Sequence, residues 1–324
     1  MGSVAGVLLV FVLMALALIR IYDKGKDQKP LLYADIPQET IDWINSFSGG
    51  LDDILSRFNP FPRPAPWDNG GDFGRDPESG LKTLEDENFI FYFPESLTKT
   101  ALRCQEIAGQ GIPRLKDIIG KYYYPADMNG RKVPIYLMAD QKSFNELMTN
   151  FCSGRDDFST TAGITISEIS PSGYYLSAIA LNGRFAFSSE DYTRNVLWHE
   201  LTHYCFFASI DYNQLVDLPM WCYEGIAEYT SLPGERPSFS DNEIRKMRSD
   251  CDFGAGKFHY VFENYRGGQS IFCHMEDLYR VEGVKCFLKT LYGKGIPASF
   301  RDNFSTTVPA FEADWKANLD KFKR

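Results

Sequence analysis

His199-Glu200-Leu201-Thr202-His203 spells H-E-x-x-H, two histidines four residues apart with a glutamate directly after the first. On a helix, residues i and i+4 lie one turn apart on the same face. The two imidazoles can then converge on one zinc ion, and Glu200 can reach a water bound to it as a carboxylate base. Chance seldom writes such a stretch. With 4 His among 324 residues, independent draws produce it about 0.003 times. The plain alternative is a structural helix carrying two incidental histidines.

Two imidazoles are not a complete site, because catalytic zinc takes three protein ligands and leaves a fourth position open. A third ligand is available in Leu218-Pro219-Met220-Trp221-Cys222-Tyr223-Glu224-Gly225-Ile226-Ala227-Glu228-Tyr229. Pro219 suits the first turn of a helix, and Leu232-Pro233-Gly234 ends it. On that helix Glu224 and Glu228 share a face, while Trp221, Ile226 and Tyr229 are left to pack. An antiparallel pair of helices brings Glu224 back to the histidines. One turn on, Glu228 is placed to accept a hydrogen bond from a ligand histidine, which fixes its tautomer. Read alone, Glu224 and Glu228 would be solvated face residues.

These two blocks, with Tyr260-Val261-Phe262-Glu263-Asn264-Tyr265-Arg266-Gly267-Gly268, resemble the gluzincin metallopeptidases, and within them the peptidase MA-like domain. The resemblance spans residues 85–324. It implies a zincin-like α+β fold in two lobes, with a mixed sheet and the zinc helix first and a helical lobe after. It implies Zn²⁺ held by His199, His203 and Glu224, Glu200 as general base, and Tyr265 as the hydroxyl that stabilises the oxyanion. The chain departs from the family at Arg266, where a lysine is usual, and it has no Gly-x-Met-Glu-Asn-like stretch, which argues against aminopeptidase activity. His259 and His274 are alternatives to Tyr265.

The rest of the sequence bounds the partners. A net charge of −9 with no basic stripe disfavours nucleic acid and leaves a peptide or protein as the expected substrate. Residues 4–19 form an uncharged apolar run close to the length of a membrane span. Residues 1–22 are therefore expected to be a single-pass anchor, with a cleaved secretory signal as the alternative. Arg20, Lys24, Lys26 and Lys29 follow the run, so the charge rule favours a cytoplasmic catalytic domain, whereas many domains of this resemblance lie outside. Residues 23–81 read as a Pro/Gly-rich tether with short amphipathic helices between 36 and 58. Residues 82–210 form the expected first lobe and 211–324 the second. Seven cysteines without a C-x-x-C leave at least one free thiol, and most of them read as buried small hydrophobes, Cys205 and Cys222 included.

Strands are expected at 88–93, 132–138, 161–166 and 174–182. Helices are expected at 97–122 with an interruption around Gly109–Pro113, at 142–151, at 268–281, at 284–291 after a stop at Gly283, and at 311–322. Ser188-Ser189-Glu190-Asp191 caps the zinc helix. The strand before that helix is expected at the sheet edge, where residues 177–181 could pair with an extended substrate. Two other functions share these residues: a membrane-tethered binding protein that keeps the fold without cleaving, and a zinc hydrolase of non-peptide substrates.

Overall fold

The computed structural model describes residues 80–120, 132–151, 158–170, 173–210, 212–215, 218–253 and 263–324. The expected anchor, the tether up to residue 79, Cys152 and His259 lie outside them. Among the described residues, no helix is long and apolar enough to cross a membrane.

The chain is α+β. Its first half builds a five-stranded mixed sheet from β1 (Lys82–Glu85), β2 (Phe89–Phe93), β3 (Val133–Met138), β4 (Gly163–Ser170) and β5 (Gly173–Asn182). The order across the sheet is β1-β2-β3-β5-β4. β2, β3 and β5 run parallel, with β1 and β4 antiparallel at the two edges. Two helices are threaded between strands, α1 (Thr98–Ile119) and α2 (Gln141–Phe151).

Alternation along the strands sorts the core into two layers, because successive side chains point to opposite faces. Phe89, Phe91, Phe93, Val133, Ile135, Leu137, Ile179 and Leu181 join the large cluster shared with α1. Tyr92, Tyr136, Met138, Ala178 and Ala180 face Phe144 and Met148 of α2. Proline rarely enters a paired strand; Pro134 is tolerated because β3 pairs only with β2 there, its pairing with β5 starting at Ile135.

The second half is helical: α3 (Glu190–Ser209), α4 (Met220–Ser231), α5 (Asp241–Asp250), α6 (Gly268–Phe304) and α7 (Val308–Ala317). Ser189 caps α3 by accepting from the Tyr192 backbone N–H at 3.2 Å, with Glu190 and Asp191 in the first turn. Such a cap stabilises a helix by about 1 kcal/mol. Trp221, Phe253, Phe272, Phe287, Phe300 and Trp315 fill the core of this half.

Three expectations about elements are overturned. α1 runs unbroken through Gly109, Gly111 and Pro113. Its buried residues, from Ala101 through Ile107 to Ile119, keep a helical period, and the Trp198 indole N–H donates to the Ile107 carbonyl at 2.8 Å. Packing outweighs the propensity cost of the breakers. The expected division of the 268–291 region into two helices is present, but it falls at Arg280 (φ 60°, ψ 179°) rather than at Gly283, and a second break follows at Gly295 (φ 78°). Gly283 lies within the helical run, where an added side chain would collide with Tyr279. The third correction concerns the sheet. β5, carrying residues 177–181, is flanked by β3 and β4 and is interior, so the edge next to the site helix is β4. β4 and β5 form a hairpin whose register shifts at Ile166/Ser167.

Candidate metal centre

α3 carries an unusual load. From Leu197 to Phe206 every residue is buried, including His199, Glu200, Thr202 and His203. Buried polar side chains require partners, and the chain supplies them from β4, from α4 and from the turn before α6.

α4 presents Glu224 to both rings. Its Oε2 lies 3.2 Å from His199 Nε2 and 3.3 Å from His203 Nε2, and the two Nε2 atoms are 3.0 Å apart. These three atoms can hold a metal ion. Glu228, one turn along α4, sits 3.3 Å from His199 Nδ1. Thus His199 has a carboxylate at each nitrogen. His203 instead stacks on Phe207, with ring centroids 5.4 Å apart, and meets Tyr223 edge-on. Its Nδ1 is buried without a hydrogen-bond partner among the described residues.

Charge in this cluster is strongly coupled. Burial works against the ionised Glu224, but hydrogen bonds from His199 and His203 prevail and hold the carboxyl down at about 2. Burial likewise opposes a charged His199. The hydrogen bonds to Glu224 and Glu228, with the Glu200 charge added, raise it well above the ordinary imidazole range. Glu224 is therefore held ionised against the two rings, a charge balanced by a proton on His199 or by a cation.

Glu200 turns toward the sheet. Thr165 Oγ1, on β4, lies 2.8 Å from its Oε2 and 2.9 Å from its backbone oxygen. Tyr265 belongs to a π-helical turn, Glu263–Gly267, that leads into α6. Its ring stacks on His199 at 5.8 Å and 19°. Burial, then the charges of Glu224, Glu200 and Glu228, push its phenol well up, so it stays a protonated donor. The turn reaches His199 because α6 crosses α4 backbone to backbone. A side chain on Gly268 would collide with the Trp221 carbonyl oxygen, and a Cβ on Gly225 would sit 2.5 Å from the Gly268 carbonyl carbon.

Among the residues singled out in the sequence, His199, His203, Glu224, Glu228, Glu200 and Tyr265 come together. His274 does not join them. Its Nε2 lies 2.8 Å from Asp314, its Nδ1 2.6 Å from Lys321 Nζ, and its ring packs on Phe311. Cys205 and Cys222 are buried beside the site helices, and burial pushes the Cys205 thiol up to about 12, which fits packing rather than chemistry. Sequence reasoning passed over Thr165, for which no local signal exists, and Phe207, whose i+4 spacing from His203 was a usable one.

No protein-family model matches the chain, and no curated protein sequence matches it.

Proposed function

We propose that the protein is a zinc-dependent peptidase with a zincin-like fold. The observation that carries this reading is the size of the donor triangle. Ligand atoms 2.0–2.1 Å from a tetrahedral zinc lie roughly 3.3 Å apart, and His199 Nε2, His203 Nε2 and Glu224 Oε2 are separated by 3.0 to 3.3 Å. Two imidazoles and one carboxylate also suit zinc better than the all-oxygen cages of calcium or magnesium.

Zinc held by His199, His203 and Glu224 would supply a Lewis acid and lower the pKa of an attacking water. Glu200 takes the proton of the attacking water and returns it to the leaving amine. Tyr265, kept neutral by its buried and acidic surroundings, donates to the oxyanion that develops on the substrate carbonyl. Glu228 orients His199 through Nδ1. β4 touches Glu200 through Thr165 and ends the sheet among the described residues, so its outer side would offer backbone groups with which an extended peptide could pair. An N-terminal span would tether the domain to a membrane, with peptides or proteins as substrates.

The test is cleavage of a mixed peptide library with and without chelator. Chelator is expected to abolish cleavage and added zinc to restore it. Glu200→Gln should keep one zinc per chain and lose turnover by about 10²- to 10⁴-fold. A chain that holds the metal and cleaves nothing is instead a tethered binding protein, and turnover by the Gln variant at the wild-type rate removes Glu200 as the base.

A further inference from the structure

We propose that Thr165 is a positioning residue for Glu200. It fastens one oxygen of the base to the edge strand on which an extended substrate would lie, and leaves the other oxygen for the proton. This rests on the peptidase reading above, since it assigns Glu200 the base's task.

Two features of β4 converge on this assignment. Gly163 and Thr165 are two apart on a strand and so share one face; Ile164 and Ile166 occupy the other, packed toward α2. Both shared-face residues meet Glu200. Thr165 Oγ1 lies 2.8 Å from Glu200 Oε2 and 2.9 Å from the Glu200 carbonyl oxygen, so its single proton is shared between the two acceptors. Gly163 contributes space: a Cβ there would lie 2.9 Å from Glu200 Cγ, 2.9 Å from Val196 Cγ1 and 3.1 Å from Leu181 Cδ2. The strand thus makes room for the stem of the glutamate and grips its end. The β4–β5 register is regular through both residues, Thr165 facing Ile179 and Ile166 facing Ala178, and shifts only beyond them, between Ile166 and Ser167.

The chemistry explains why a hydroxyl is useful there. Glu200 is buried, and a carboxyl oxygen out of water needs a hydrogen-bond partner. A hydroxyl supplies one without adding a charge to the site. Among the described residues no other side chain donates to Glu200, and no hydrogen bond reaches its Oε1. Thr165 therefore sets which oxygen is fixed and which can take a proton, and it does so from the strand where substrate would pair.

The experiment compares the purified full chain with Thr165→Val, which keeps the shape and removes the hydroxyl, and Thr165→Ser, which restores the hydroxyl. Each is loaded with one equivalent of zinc. kcat and KM are measured on a peptide selected from the library, and crystal structures of the loaded wild type and Val variant are solved. The Val variant is expected to keep its zinc and its KM within about twofold while kcat falls about tenfold. The Ser variant should recover most of that loss. The Glu200 carboxylate should occupy one orientation in the wild type and several in the Val variant. An unchanged kcat in the Val variant, or a Glu200 carboxylate that stays in place without the hydroxyl, overturns the proposal. If the wild type cleaves no peptide, only the peptidase reading falls, and the carboxylate orientations still decide whether Thr165 holds Glu200.

Discussion

Two buried histidine clusters in this protein pair imidazoles with carboxylates and solve opposite electrostatic problems. Around His274 the chain supplies its own cation: Lys321 Nζ faces Nδ1 at 2.6 Å and Asp277 at 2.5 Å, and Asp314 takes Nε2. Burial, then the Lys321 charge, lowers His274 below the ordinary imidazole range, which leaves a neutral ring donating through Nε2. Around His199 no lysine or arginine pairs with Glu224 or Glu228 among the described residues, and the histidine is raised instead. The first cluster is a closed structural network. The second converges three ligand atoms and calls for a positive charge from outside. Histidine and carboxylate together do not make a candidate metal site; converging ligand atoms do.

The comparison breaks most sharply on removing one carboxylate from each cluster. Glu224→Ala should abolish stoichiometric zinc at micromolar free metal, together with any cleavage, whereas Asp314→Ala should leave the zinc content at one per chain. Equal metal loss in both variants, read by elemental analysis, would erase the distinction. Next in size, Tyr265→Phe should lower kcat by about 10²-fold with zinc retained. A Phe variant at full kcat would move the oxyanion role elsewhere. Glu228→Gln should weaken zinc binding about 10- to 100-fold, read by competition with a chromophoric chelator. The corresponding change at Asp314 should not alter zinc affinity.

The pH response sharpens the same contrast. A raised His199 stabilises the fold below the unfolded histidine value of about 6.5, and that contribution is lost as pH climbs through its higher folded value. A depressed Glu224 stabilises above the unfolded value of about 4.3, and its contribution is lost as pH falls toward about 2. The melting temperature of metal-free protein should therefore decline on both sides of that window, and the alkaline decline should vanish once zinc replaces the proton. Zinc uptake at neutral pH should also release a proton, measurable by calorimetry in buffers of different ionisation heat. The smallest effect belongs to the backbone. Arg280 adopts φ 60° and ψ 179°, a region suited to glycine, and strain there costs about 1–3 kcal/mol. Arg280→Gly should raise the melting temperature by a few degrees and leave zinc affinity unchanged.

The parts of the site legible in the sequence are those fixed by local spacing. His199 and His203 are one helical turn apart, Glu224 and Glu228 another, and these periods survive any tertiary arrangement. Strands β2, β3 and β5 were legible from their apolar runs, and the cap at Ser189 from its residue type. What failed depended on contacts across the chain. The order of strands put β4 rather than β5 at the edge, and nothing in either strand's composition ranks them. The continuity of α1 through Pro113 rests on packing that propensity does not contain. β1 is four residues with mostly exposed side chains and carries no core pattern. α5 went unread although Ser240 and Glu243 form a capping box, a signal that was present in the sequence.

The crossing of α4 and α6 at Gly225 and Gly268 has a consequence for how such a centre can be lost. Main chain rests on main chain there, with no pliable side chain between to absorb a change. A single added methyl at either glycine must wedge the helices apart and lift Tyr265 off His199, although it alters no ligand, no charge and no hydrogen-bonding group. The geometry of the candidate centre is thus vulnerable at two positions that contribute no functional group to it.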